Sequence, residues 1–419
     1  MKALETARRL FEELAHETAD EPGITRDSYG EGEAKAHAMI LREAQRIGLE
    51  QRCDDFGNLF ITLPGLDRNA PVLMTGSHID SVPHGGNYDG AAGVLAGIAL
   101  LEYFSDEPSL PFDVVLMVIR AEEMIWFPEH YLGSRAAFGL LPADTPNRLK
   151  RSDTGITLAH YMRKAGFNPD AITEQKTSLS ADKVRAFIEL HIEQGPVLKE
   201  QSIPVGIVTG IRGNRRYRFC SINGQTTHAG GVPRRSRRDA VLAGAELVSA
   251  LESFWIQLED QGHDLVLTIG EFTTDHAQHG ITKVPGRLDF TLDFRSQSSS
   301  TLDEFDIYLQ QQVVNISLRR NVEFSLGTST QASEALMDKK LIEGLSEAAI
   351  QAGVSTMPIP SGGGHDCAVF AGQLIPSAMI FVRNDNGSHN PDESMEFEDF
   401  SAAFTVLVTW LGAHTVQYA

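Results

Sequence analysis

Three histidines and several carboxylates sit where apolar runs give way to polar loops. Gly76 to Gly90 reads GSHIDSVPHGGNYDG and offers His78, Asp80, His84 and Asp89. An imidazole nitrogen is a good ligand for zinc and related divalent ions. Asp89 adds an anionic oxygen able to bridge two ions, and Asp80 can orient the His78 ring as a supporting partner. The same stretch also reads as a plain strand-to-helix turn whose aspartate caps the helix. A second place is Ala121-Glu122-Glu123. Adjacent carboxylates at a strand end point different ways, so one can hold a metal while its neighbour faces the attacking water; a solvated acidic turn has the same sequence. His191 follows the apolar run Val184 to Leu190, where a histidine is ordinarily a core residue unless other ligands converge on it. His389 lies in Asn384 to Pro391, past another apolar run. The full set is His78, Asp89, Glu123, His191 and His389. With no cysteine, it suits an open catalytic site better than a closed structural one. His84 is read as an ordinary loop residue.

The elements that must position these groups are strands. Ala70 to Thr75, Phe112 to Arg120, Val184 to Leu190 and Pro376 to Arg383 are short apolar runs of buried-strand type, and Ala91 to Leu101 is the apolar face of a helix. Loops beyond strand ends are where open α/β sheets build active sites. The pattern changes near residues 212 and 328. Between them it reads strand (Arg215 to Ile222), helix (Ser236 to Phe254), strand (Asp264 to Phe272), strand (Arg287 to Arg295), helix (Leu302 to Ser317) and strand (Asn321 to Leu326). That βαββαβ order is ferredoxin-like. The flanking parts alternate strands with helices, which implies an α/β fold with a mostly parallel sheet flanked by helices. Ligand candidates lie on both sides of the insert. The catalytic domain is therefore expected to be discontinuous, 1–211 with 328–419, around an inserted domain 212–327.

Whole-chain numbers set the class. A chain of 419 residues is long for one core, and 42% hydrophobic with 22% charged residues is ordinary for a globular protein. The net charge of −20 argues against nucleic acid or an anionic membrane as partner. Cys53, Cys220 and Cys367 are isolated and odd in number, as in a reducing cytoplasm. Met1 to Thr18 has the pattern of a charged amphipathic helix, with no signal-peptide core, and no run is expected to reach membrane-spanning length. The expected partner is a small molecule.

The chain resembles the M20 metallopeptidase-like amidohydrolases, in the branch of N-carbamoyl-L-amino acid hydrolases, allantoate amidohydrolases and β-ureidopropionases. The motifs that carry the likeness are Gly76 to Gly90, Glu122 to Arg135, Leu190 to Pro196, His228-Ala229-Gly230, Val284-Pro285-Gly286, Ser361 to Asp366 and Gly387 to Pro391, in the family's order. The resemblance implies a zinc-peptidase-like catalytic domain with two divalent ions, Zn²⁺ first, with Mn²⁺, Co²⁺ or Ni²⁺ also suited. It implies that Asp89 bridges the pair, that His78 and His191 complete one site, and that Glu123 and His389 complete the other. Glu122 would be the general base. It further implies that the insert is a lid and homodimer surface. There His228 would stabilise an oxyanion in the partner's site, and Arg295 would grip the substrate carboxylate. Gln194 would contact the carbamoyl or amide group, and Gly363 would let backbone approach the ligand. His365 and Asp366 would support the site, although a helix N-cap explains Asp366 equally well.

The activity so implied is hydrolysis of an N-carbamoyl-L-amino acid to amino acid, carbon dioxide and ammonia. Allantoate, a β-ureido acid and an N-acyl amino acid are the alternatives. A non-catalytic binding module would be expected to have lost ligands, and the full set is present. Thr282 stands where relatives usually carry a substrate-contacting asparagine, and Arg234 where methionine is common. The arginines Arg234, Arg235, Arg237 and Arg238 read either as a basic helix start or as a pocket for an acidic substrate such as an acyl-aspartate.

Overall fold

The computed structural model of the chain describes residues 1–416, with side chains through Ala413. Two compact units emerge, Met1–Gly210 with the chain from Leu336 onward, and Ile211–Ala335. The second unit extends past residue 327 because Ser329–Ala332 pairs with Gly213–Asn223. Strands β1 (Glu50–Cys53), β2 (Leu59–Leu63), β3 (Val72–His78), β4 (Val114–Ile119), β5 (Val184–Ile192) and β6 (Val205–Ile211) come first. The second unit holds β7 (Gly213–Asn223), β8 (Thr227–His228), β9 (Val266–Thr268), β10 (Phe272–Thr274), β11 (Lys283–Val284), β12 (Arg287–Ser296), β13 (Glu323–Ser325) and β14 (Ser329–Ala332). Then follow β15 (Ala335–Leu336), β16 (Thr356–Ser361) and β17 (Ser377–Val382).

In the first unit nine strands form one sheet in the order β1-β2-β4-β3-β5-β17-β6-β15, with β16 beside β6. Its centre, β4-β3-β5-β17, is parallel. Outside the centre β1, β2 and β6 pair antiparallel with their neighbours. The sheet is thus mixed rather than mostly parallel. The reason is connection length: β1 and β2 are joined by a tight turn, which permits only antiparallel pairing. The β3–β4 crossover, by contrast, contains a helix long enough to return the chain.

That helix is α3 (Ala91–Ser105); α1 (Lys2–Glu17) and α2 (Glu31–Ile47) precede it. Apolar on nearly all sides, α3 is buried along almost its whole length. It shares the main core with α1, α2 and the helix Phe397–Val416. In β5, Ala186, Ile188, Leu190 and Ile192 face this core. Phe187 points the other way and stacks on Phe370, centroids 3.7 Å apart. With period-two alternation, Glu189 and His191 fall on the Phe187 face. This is how a histidine on an apolar run leaves the main core.

In the second unit the sheet order is β10-β12-β7-β13, with β9 beside β12, β14 beside β7, and a separate β8–β11 ribbon. Leu288, Phe290, Leu292 and Phe294 of β12 join Leu247, Leu251, Phe305 and Leu309 in its core. These last four come from the helices Ala240–Asp260 and Ser299–Arg320. The strand read over 264–272 is two short strands, β9 and β10, with Gly270 in the break. Ala240–Asp260 also overturns one expectation, being long and apolar enough by length and composition to cross a membrane. Its buried face, including Ala243, Leu247 and Leu251, belongs to the unit's core.

Candidate metal centre

Because β4, β3, β5 and β17 are parallel neighbours, their carboxyl ends share one edge of the sheet. His78 ends β3, Glu122 and Glu123 follow β4, His191 lies near the end of β5, and His389 follows β17. Asp89, just before α3, sits among them. Its Oδ1 lies 3.1 Å from His191 Nε2 and 3.5 Å from His78 Nε2. Its Oδ2 lies 3.3 Å from His389 Nε2, which is 3.4 Å from Glu123 Oε1. His78, Asp89 and His191 present donor atoms within 4.8 Å of one another, and so do Asp89, Glu123 and His389. The two groups share Asp89. His78, Glu122 and Glu123 form a third such group.

The ring orientations are fixed from behind. His78 Nδ1 faces the Asp80 carbonyl at 3.0 Å, and His191 Nδ1 faces the Ile192 carbonyl at 2.9 Å. A ring that donates from Nδ1 to a carbonyl has its lone pair on Nε2, the atom that could face a cation; in His191 that atom accepts the Gly90 N–H at 3.1 Å. Gly90 has φ +62, and a Cβ there would lie 2.5 Å from the His78 ring, so only glycine fits.

Charge is concentrated here. Burial, with the charges of Glu123, Asp366 and Asp80 and against that of His78, pushes the Glu122 carboxyl well above the ordinary carboxylate range. Burial would raise Asp89 too, but the imidazoles of His191, His389 and His78 hold it well below. His389 is raised to about 11 by Asp89 and Glu123. His78 and His191 are raised against burial by hydrogen bonds they donate to their carboxylate neighbours. A cluster so rich in carboxylate is matched to positive charge. The N/O donor set, with its carboxylate common to two groups, fits a pair of divalent ions.

Asp80 is fully buried and accepts the Glu122 N–H at 3.1 Å, the Glu123 N–H at 3.2 Å and the Ser28 hydroxyl at 2.6 Å. Its Oδ1 lies 3.4 Å from His78 Nδ1, farther than its own carbonyl. Asp80 therefore holds the Glu122–Glu123 turn as much as the His78 ring. Gln194 donates from Nε2 to Asp89 Oδ2 at 2.8 Å. A Cβ on Gly363 would come within 2.9 Å of Gln194 Oε1, which keeps that loop close. His365 contacts the His191 ring edge-on, centroids 4.4 Å apart, and its Nε2 lies 3.0 Å from the Ser361 hydroxyl. Asp366 accepts from the Ser134 hydroxyl and stands at the N-cap position of Cys367–Gly372 without a side-chain cap bond. His84 is exposed and bonds the Pro22 carbonyl.

His228, Thr282 and Arg295 belong to the second unit. His228 is exposed on the β8–β11 ribbon, and Thr282 O accepts the Ala229 N–H at 2.8 Å beside it. The N–H groups of Gly230 and Gly231 donate to His228 Nδ1 at 3.1 and 3.0 Å. The neutral ring is therefore fixed with its proton on Nε2, an outward donor. Arg295, on the β12 face opposite the helices, places Nε and Nη2 on Asp293 at 3.1 and 2.9 Å.

Several participants escaped the sequence reading. Glu189 spends one oxygen on the Ser77 hydroxyl and the other on the Cys367 N–H, both buried. Glu393 accepts the Tyr88 and Asp89 N–H groups, and Ser388 donates to Asp89. Glu33 in α2 bonds the backbone just before the glutamate pair. The only signal for Ser388 was its place beside His389; for Glu33 there was none.

An α/β sheet edge that gathers two carboxylate-linked donor groups is the architecture of a metallohydrolase. The chain belongs to Peptidase family M20/M25/M40, whose model matches residues 74–413. It is 33% identical to an N-carbamoyl-L-amino acid amidohydrolase of Geobacillus stearothermophilus, over 95% of this chain and 96% of the relative. It is 32% identical to an allantoate amidohydrolase of Bacillus subtilis strain 168, over 88% of each chain. Among solved structures, a hydantoinase/carbamoylase family amidase from Burkholderia multivorans matches with a TM-score of 0.87 at 27% identity, covering 98% of both chains.

Proposed function

We propose that the protein hydrolyses the linear C–N bond of an N-carbamoyl-L-amino acid, releasing the amino acid, carbon dioxide and ammonia. The observation that carries this reading is Asp89 shared between the His78–His191 and Glu123–His389 groups, with Glu122 alongside. His78, His191 and Asp89 would hold one divalent ion, and Asp89, Glu123 and His389 the other. When bound, such ions lower the pKa of water toward ~7 and polarise the scissile carbonyl. Glu122 takes the proton of the attacking water and passes it to the departing nitrogen. Its environment keeps its basicity high enough for that transfer. His228 offers its Nε2–H to the oxygen that gains charge. Arg295 grips the substrate carboxylate, Gln194 contacts the carbamoyl group, and Thr282 and Gly363 line the substrate's place.

In this reading the first unit, up to Gly210 and from Leu336 onward, is the catalytic domain, and the second, Ile211–Ala335 rather than 212–327, is a ferredoxin-like lid and homodimerisation domain. The β10-β12-β7-β13 order supports the ferredoxin-like assignment. The exposed Ile256, Ile307, Val314 and Leu318 on its two helices support the dimer. A cytoplasmic location belongs to the same reading.

A second reading, an acidic substrate such as an N-acyl or N-carbamoyl aspartate, is favoured by Arg234 and Arg235. Both are exposed and their side chains make no hydrogen bond or ion pair among the described residues, whereas the Arg237 and Arg238 side chains bond backbone carbonyls. Ammonia release should be measured over a panel of N-carbamoyl amino acids, allantoate, a β-ureido acid and acyl-aspartates, before and after chelation. The leading reading expects N-carbamoyl amino acids to be turned over fastest, with loss on chelation and recovery on adding Zn²⁺, Mn²⁺, Co²⁺ or Ni²⁺. Activity that survives complete metal removal overturns it.

A further inference from the structure

The turn that presents Glu122 and Glu123 is held by three successive backbone N–H groups, all donated to buried carboxylates from elsewhere. The Glu122 and Glu123 N–H groups go to Asp80, and the Ala121 N–H goes to Glu33 Oε1 at 2.9 Å. Ala121 has φ 53, in the left-handed region that residues with a Cβ rarely adopt. A residue in that region persists only where its surroundings over-determine it. Glu33 does so here. Its other oxygen accepts Arg120 Nη1 at 2.7 Å and the Tyr29 N–H at 2.6 Å, and it is fully buried. Arg120 in turn donates Nε to the Gly57 carbonyl at 2.9 Å. One carboxylate thus grips both residues that precede the glutamate pair. It does so from a helix 88 positions away in sequence.

We propose that Glu33 is a positioning residue of the hydrolytic site: by fixing Ala121 in its left-handed conformation it aims Glu122 and Glu123 apart, one at the attacking water and one at the ion shared with His389. This rests on the metallohydrolase reading above for what the two glutamates do, but not for the turn itself. Replacing Glu33 by Gln leaves the volume unchanged and forces an NH₂ group against either the Ala121 N–H or the Arg120–Tyr29 donors. One donor loses its acceptor, and Ala121 is released toward ordinary conformations.

The test compares wild type, Glu33→Gln and the double variant Glu33→Gln/Ala121→Gly by three measurements. The first is amide exchange of residues 121–123 in metal-free protein, with the β4 amides as internal control. Glu33→Gln should speed exchange at 121–123 by about tenfold or more while β4 stays protected. The second is bound zinc per chain, which should fall toward half. The third is kcat against KM, where kcat should fall by about tenfold to a hundredfold with KM little changed, as for a support removed from behind a ligand. Glycine adopts the left-handed region freely, so the double variant should regain a large part of the zinc and of kcat. Unchanged exchange at 121–123 overturns the proposal whatever the activity. So does loss of zinc and kcat in step with general unfolding and without rescue by Ala121→Gly. If Glu33→Gln does not fold, Ala121→Val, which strains the same turn with Glu33 intact, must lower zinc content; full zinc content there overturns it. Altered exchange together with a wild type that binds none of Zn²⁺, Mn²⁺, Co²⁺ and Ni²⁺ would instead retire the metallohydrolase reading and leave the turn assignment standing.

Discussion

In the first unit His78, Asp89, Glu123 and His191 are each less than a tenth exposed, and each makes a further hydrogen bond: His78 to the Asp80 carbonyl, Asp89 to Glu393, Glu123 to Asp80, and His191 as acceptor of the Gly90 N–H. In the second, His228 is exposed on a two-stranded ribbon, its Nδ1 taking the Gly230 and Gly231 N–H groups, and Arg295 is half-buried on β12 beside Asp293. The contrast is between the two jobs proposed for them. A cation site needs its donors in place beforehand, because gathering carboxylates without a counter-charge costs free energy that binding must recover. A group that meets charge only while the reaction proceeds needs the right tautomer and little else. The Gly230 and Gly231 amides give His228 that tautomer.

Substitutions can break this contrast. Asp89→Ala should have the largest effect, removing the carboxylate common to both donor groups. Bound metal should fall sharply and turnover should become undetectable, as read by elemental analysis and ammonia release. Glu122→Gln should lower kcat by about 10²–10⁴-fold with metal content unchanged. An active, metal-replete Glu122→Gln protein contradicts the assigned base. His228→Ala should cost about 10²–10³-fold in kcat and leave metal content alone. If it lowers metal content instead, the proposed division of labour between the units fails. Arg295→Lys should act mainly on KM, raising it by about tenfold, because an ammonium cannot bind both carboxylate oxygens as a guanidinium does.

The smallest effect concerns stability alone. His37 in α2 is buried with its Nε2 unpartnered among the described residues, and burial, helped by the Arg120 charge, holds its pKa well below the ordinary value. Above about pH 6.5 both folded and unfolded forms carry it neutral. As pH falls below that value the unfolded chain takes up a proton and the folded one does not, so stability is lost toward the depressed folded value. Thermal melting of metal-free His37→Leu should fall less steeply from pH 6.5 downward than that of wild type.

The candidates His78, Asp89, Glu123, His191 and His389 could be picked out from the chain because each stands at or near an end of an apolar run, Asp89 just before one and the others at or past one, where residue type and period change together. The parallel centre of the sheet could be read for the same reason. The antiparallel flanks could not, since a buried strand looks alike whichever way its neighbour runs. Glu33 was hidden by its helix: an acid in the first turn of an amphipathic helix is ordinarily solvated, and only the fold turns it inward. Glu189 was masked by the apolar run around it, and its two partners come from distant segments. The break between β9 and β10 had a local cue in Gly270, but the surrounding residues carried the alternation of one strand.

The position of β17 has a consequence during synthesis. It lies between β5 and β6, yet both of those strands emerge from the ribosome before any of the second unit, and β17 only after all of it. Until residues 377–382 appear, the slot beside β5 is open and its apolar edge unpaired, and β6 has no place in the sheet, because β15, β16 and β17 all follow the second unit. Such edges are templates for pairing with other chains. Yield in the cell should therefore depend on how quickly the last stretch of chain is delivered, and on whether a chaperone guards the slot until it is.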